Sequence, residues 1–222
     1  MSAKITITKP FTIMTKPRRP RRTKEDIEKS INEAAVDLIG RKGFAGVQLS
    51  DITRQADIEP VVFYNRYKNL DAFYDEFLKK YDYWVSEGIK RRNATEDDAT
   101  PTIDYCKTVL NGLITDLQED KIMREILRWE IADANAVTER TAMLREMLNM
   151  QLVFKFKKLF REGESSIDIA VLSALMISGI YYLFLHRNRS TFCGIDLNDP
   201  GDIERMRKTG DAIVDLAFST LK

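Results

Sequence analysis

The residues best suited to chemistry lie in one stretch of twenty, Gln48 to Tyr67 (QLSDITRQADIEPVVFYNRY). Val47, Leu49, Ile52 and Ala56 give the apolar side of a short helix over about 50–56. Asp57 to Glu59 then make a turn, and Pro60 opens a second short helix where its missing N–H costs nothing. Phe63 and Tyr67 stand four apart and face one small core, which turns Val61, Val62, Tyr64, Asn65, Arg66 and Lys68 outward. A helix set across another by so short a turn can be offered end first to the DNA major groove. No reactive constellation competes with that use. The sequence has no Gly-rich phosphate loop, nucleophile elbow or HExxH, and its one histidine, His186, has no evident triad partner. Its carboxylates are unclustered, so neither a metal, a cofactor nor an enzyme is expected. Cys106 and Cys193 show no ligand or redox spacing and fit inert thiols in a reducing cytoplasm.

Two such short helices bury little alone, so neighbouring helices must hold them. Thr23 reads as an N-cap with Asp26 reaching back, and Ile27, Ile31, Ala34, Ala35, Leu38 and Ile39 recur at spacings of three and four to about Lys42. Gly43 ends that helix, and Phe44 packs back onto it. A further helix starts after Asn69 and is expected to run unbroken to about Arg92. Residues 93–100 (NATEDDAT) are a polar loop, with Thr100 and Pro101 opening the next helix.

Charge is unevenly placed along the 222 residues. The net charge is only +1, but residues 1–24 hold eight Lys/Arg and no acid, which leaves the remainder net acidic. Residues 1–22 read as a disordered basic arm kept extended by Pro17 and Pro20, able to lie along phosphates or reach a minor groove. It is not a signal peptide, because its apolar residues are interleaved with Thr, Lys and Pro.

Helical periodicity continues over about 101–118, 120–133 and 136–162, the last closed by Gly163. Ile169 to Leu185 is a run of 17 uncharged residues, short for a bilayer span and read as a buried or interface helix. A last amphipathic helix covers about 202–221. Paired with their copies, these two would form a four-helix bundle. The fold class is all-α, about nine helices, divided as 1–22 arm, 23–68 helix-turn-helix unit and 69–222 regulatory and dimerisation domain.

From Thr23 to Tyr81 the sequence resembles the TetR family of bacterial transcriptional regulators. The resemblance rests on Lys42-Gly43-Phe44, Asp51-Ile52-Thr53, the turn Ala56-Asp57-Ile58 and Phe63-Tyr64-Asn65-Arg66-Tyr67, with family spacing kept throughout. It departs at Gln48, where the family has a capping Thr and Ser50 is expected to take over. It departs again at Asp57 for the turn glycine, at Glu59, and at Leu70 for a phosphate-contacting Lys.

The resemblance implies that Pro60, Val61, Val62, Tyr64, Asn65 and Arg66 face the major groove. Tyr64 would then touch phosphate, Asn65 adenine, Arg66 guanine, and a valine a thymine methyl. Ser50, Arg54 and Lys68 are candidate backbone contacts, joined by Arg21 and Arg22 of the arm. It also implies a homodimer on a palindromic operator of double-stranded DNA, paired through the last two helices. A small apolar or amphipathic effector would bind among the middle helices, for which Tyr83, Trp84, Met123, Trp129, Phe154, Tyr181 and Tyr182 are candidates. The expected protein is a cytoplasmic, non-membrane, effector-released repressor. The alternative is a DNA-binding adaptor or architectural protein whose C-terminal part holds another protein.

Overall fold

The computed structural model describes residues 22–80 and 102–222. Expectations for the arm up to Arg21, for Tyr83 and Trp84, and for residues 81–92 lie outside the described residues. The described chain is all-helical: α1 (Lys24–Lys42), a 3-10 turn (Phe44–Gly46), α2 (Leu49–Gln55), α3 (Pro60–Tyr64), α4 (Leu70–Leu78), α5 (Ile103–Glu119), α6 (Lys121–Ala132), α7 (Ala136–Glu162), α8 (Ile169–His186) and α9 (Pro200–Phe218).

Local chemistry accounts for most of the boundaries. Thr23 and Asp26 form a reciprocal capping box on α1, and Gly43 closes it at φ 69°, ψ 171°, a backbone region open almost only to glycine. Asn69 caps α4 by accepting from Ala72 N–H, and Asn135 caps α7 by accepting from Val137 and Thr138 N–H. Two expected starts are corrected. The cap of α5 is Thr102, which accepts from Tyr105 N–H, and not Thr100. The cap of α2 is Gln48, not Ser50, because Asp51 Oδ2 accepts from Gln48 N–H at 3.3 Å and draws the helix start back to Leu49. The expected long fourth helix closes at Leu78, where Lys80 N–H turns to Phe77 O in a 3-10 step.

Three apolar clusters hold these helices. The first gathers Ile31, Leu38 and Ile39 of α1 with Phe44, Ile52, Phe63, Tyr67, Phe73 and Phe77, and takes in Ile122 and Ile126 of α6 and Val137 of α7. The short helices thus close over residues far along the chain. The second joins α5 (Leu113, Ile114, Leu117), α6 (Met123, Leu127), α8 (Ile180, Phe184) and α9 (Ile203, Val214). The third packs Phe156 and Phe160 of α7 on Ile169 and Ala217. Gly210 lets α9 come close to α5, since a Cβ there would lie 2.8 Å from Leu110 Cδ2. By length and composition α8 could cross a bilayer. In the fold it starts from the capping Asp168 and lays Ile169, Ile180 and Phe184 into the second and third clusters.

Candidate nucleic-acid interface

α2 and α3 stand on α1 through buried side chains and through polar ties at the rim. Ile52, Ala56, Phe63 and Tyr67 point into the first cluster, and the Phe63 ring meets Phe73 edge-on at 5.7 Å. Gln55 bridges back to α1, donating to Asp37 Oδ2 at 2.6 Å and accepting from Arg41 at 2.9 Å. That hydrogen bond from Gln55, with the Arg41 charge beside it, holds the Asp37 carboxyl below its ordinary value. Asp51 is a second hub, pairing with Lys42 at 2.9 Å and Arg54 at 2.5 Å. Hydrogen bonds from Lys42 and from Gln48 N–H lower its pKa. Asp57 takes the positive φ of 52° that the turn demands, which Asp tolerates better than most residues.

With the core face fixed, the outer face follows. Pro60, Asn65, Lys68, Ser50 and Arg54 are exposed, Val61 is 61% and Tyr64 53% exposed, and Val62 is half-buried. Such a face, with hydroxyl, amide and methyl groups on a short helix standing off a rigid core, can hydrogen-bond base edges and phosphates.

Two cations expected to contact DNA also tie the reading unit together. Arg66 is half-buried and donates from Nη2 to Lys24 O, tying the end of α3 to the start of α1. Arg22 donates to Ala56 O at 3.0 Å, to Asp57 O at 3.3 Å and to Ser30 Oγ, so it fastens the chain entering α1 onto the turn between α2 and α3. Both ties join residues more than thirty positions apart, and no local pattern announces them.

The residues named for an effector are dispersed. Met123 is buried in the second cluster, with Tyr181 half-buried against it. Trp129 packs on the first cluster, its ring stacked on Phe44 at 4.6 Å and 4° and edge-on to Tyr74 at 5.3 Å, with Nε1 donating to Asp133. Phe154 is 59% exposed on α7, and Tyr182 is on the outer face of α8 against His186 and Phe192. A separate open groove of about 520 Å³ runs between α5 and α9, lined by Lys107, Asn111, Thr115 and Arg207 among others. Its side chains bond one another: Arg207 reaches Asn111 O and Thr115 Oγ1, and Lys107 pairs with Asp215. Cys106 lies half-buried, and burial pushes its thiol up to about 12, which leaves it unreactive. No group of three or more His, Cys, Asp and Glu among the described residues could hold a metal.

Residues 31–77 match the sequence family of bacterial regulatory proteins, tetR family. No curated protein sequence matches the chain. Solved structures with the same fold include a chain from Rhodococcus sp. assigned to the TetR family, with TM-score 0.62 and 16% identity over 87% of this chain and 98% of that one. A TetR family transcription regulator from Marinobacter aquaeolei VT8 aligns at 0.61 and 14%, over 85% and 95%. The fatty acid degradation regulator FadR from Bacillus halodurans aligns at 0.60 and 14%, over 84% and 97%. At these identities the structures speak for the fold, and the match at residues 31–77 spans α2 and α3. Residues 31–77 thus match the family of bacterial regulatory proteins, tetR family, and the described chain shares the fold of TetR-family structures.

Proposed function

We propose that the protein is a homodimeric repressor in which residues 23–68 read a palindromic operator and residues 69–222 pair the subunits and bind a small effector that releases the DNA. The observation that carries the dimer is the outer face of α8. Val171 (55% exposed), Leu175 (66%), Ser178 and Tyr182 (49%) recur at spacings of four, three and four, and α9 adds Leu216 at 67%. A largely apolar stripe along α8, with a further exposed leucine on α9, is costly in water and is covered by its own copy in a two-fold four-helix bundle. The same pairing makes α8 an interface in a cytoplasmic protein and not a membrane span. One reading unit contacts too few base pairs for useful specificity, so two are needed. The test is Leu175→Glu. Sedimentation should change from dimer to monomer, and binding to a DNA site selected from random sequence should fall by orders of magnitude. A wild-type monomer at micromolar concentration that binds a single half-site tightly would sink the reading.

A second reading, a DNA-binding adaptor that holds another protein, is favoured by α7. Met143 (65% exposed), Met147 (67%) and Phe154 (59%) share one stripe of that helix. Met147→Lys separates the two. An adaptor loses its partner, whereas a repressor keeps its operator affinity and its response to effector.

A further inference from the structure

Where α5 ends, α6 passes and α8 ends, three guanidinium groups meet. Arg124 of α6 donates from Nη1 to Leu117 O and Gln118 O, the last carbonyls of α5. Arg128, one turn on, donates to Leu185 O at 3.1 Å, a last carbonyl of α8. Arg187 caps α8, and its Nε reaches Asn198 Oδ1 at 3.4 Å while Asn198 Nδ2 donates back to Arg187 O at 2.9 Å. Its Nη1 is buried and has no hydrogen-bond partner among the described residues.

Helix-end carbonyls explain why single arginines stand at these ends. They do not explain three together. Burial, and then the like charges of Arg187 and Arg128, depress the Arg124 guanidinium below its usual value. The acids acting on Arg124 are Asp120 and Glu125. Asp120 is occupied in capping α6 through Met123 N–H, and Glu125 is paired with Arg128. Arg124 thus feels two like charges beside two already engaged carboxylates, and the Arg187 guanidinium keeps a buried N–H unanswered among the described residues. Planar guanidinium forks match the two-oxygen edge of a carboxylate or phosphate.

We propose that this junction is an oxyanion site, where Arg124, Arg128 and Arg187 receive the carboxylate or phosphate group of a small metabolite. Arg128 is the member through which binding reaches the DNA-reading unit. It holds Glu125, and Glu125 Oε2 lies 3.5 Å from where a Cβ on Gly43 would stand, at the end of α1. An oxyanion that takes over Arg128 frees Glu125 and loosens α6 from that end. This consequence rests on the effector-release reading above, whereas the site itself does not.

The test uses the full chain in an oxyanion-free chloride buffer, with inorganic phosphate in one arm and acetate in the other, each against sodium chloride at equal ionic strength. Calorimetric titration should show saturable binding of at least one of them. At about five times Kd, Tm should rise by about 2–4 °C. The arm that responds names the source of the oxyanion. Arg187→Gln should weaken binding at least tenfold and leave the Tm of the ion-free protein unchanged or higher, because it removes a like charge and an unanswered donor. Arg187→Lys keeps the charge and loses the fork, so it should bind more weakly than wild type and more tightly than Arg187→Gln. The proposal is overturned if neither anion binds saturably, or if Arg187→Gln binds as well as wild type. It is equally overturned if Arg187→Gln lowers the ion-free Tm by several degrees, which would make Arg187 a structural cap. Binding without any change in operator affinity would leave the site standing and remove release through α6.

Discussion

Trp129→Ala should weaken the whole protein by removing the joint between α6 and the reading unit. The indole stacks on Phe44 at 4.6 Å and 4°, and meets Tyr74 edge-on at 5.3 Å. Phe44 and Tyr74 are themselves buried in the first cluster, beside Phe73 and Phe77. Each ring pair adds about 0.5–1.5 kcal/mol beyond the area it buries. Truncating a fully buried Trp costs about 3–5 kcal/mol. Trp129 is half-buried, and its Nε1 already reaches Asp133 at the surface, so about 2–3 kcal/mol is the reasonable share. For a chain of this length that corresponds to a fall in Tm of about 4–12 °C. Thermal unfolding by circular dichroism measures it, with Trp129→Phe as a control that keeps a stacked ring and should lose less than half as much. A Tm within about 2 °C of wild type would refute the packing argument. Trp129 would then be free to serve an effector pocket, as its sequence context first suggests.

Tyr64→Ala and Arg66→Ala should part company. Tyr64 is exposed, so its loss should leave Tm nearly unchanged and weaken operator binding by about 5–150-fold in an anisotropy titration. Arg66→Ala also cuts the tie to Lys24 O and should lower Tm measurably; equal Tm values for the two variants would restore Arg66 to a purely DNA-facing role. Gly43→Ala should destabilise by about 1–3 kcal/mol in urea unfolding through backbone strain alone, because the new Cβ meets Glu125 only at ordinary contact distance. A smaller loss would mean that the end of α1 relaxes. Asp26, Asp37, Asp51 and Asp202 all have folded pKa values below the ordinary 3.8. Their contribution is complete above that value and is lost as pH falls through the lower folded values, so stability should drop steeply below about pH 3.8. Asp51→Asn should flatten that acid limb, and an unchanged limb would show that Asp51 keeps its ordinary pKa.

The sequence was legible wherever a signal and its partner are close in the chain. α7 begins beside Asn135 and ends at Gly163, and both ends were readable because caps act over two to four residues. The outward face of α3 followed from Phe63 and Tyr67 for the same reason. What failed depended on distance or on competition between neighbours. Ser50 looked the better cap by residue type, but Asp51 reaches back to Gln48 N–H and wins the position. The tie from Arg66 to a carbonyl 42 positions earlier was missed because periodicity cannot see so distant an acceptor. The effector candidates failed to converge because a helical repeat says that a face is apolar, not which of three clusters it joins.

α6 shows how much was hidden in that last ambiguity. Its apolar residues come as doublets, Ile122–Met123 and Ile126–Leu127. The first member of each enters the cluster under α1 to α4, and the second enters the cluster of α5, α8 and α9. Lys121 lies against Gly40 and Glu125 against Gly43, while Arg128 on the other side holds Leu185 O. One helix therefore has its two faces in two cores, with α1 to α4 on one side and α5, α8 and α9 on the other. Packed cores move between discrete arrangements and do not stretch continuously. A rotation of α6 that improves the fit of Met123 and Leu127 around a ligand must displace Ile122 and Ile126 from beneath α1. The side chains that could register an effector and those that steady α2 and α3 are thus neighbours on one backbone, so coupling requires no longer route than a turn of α6.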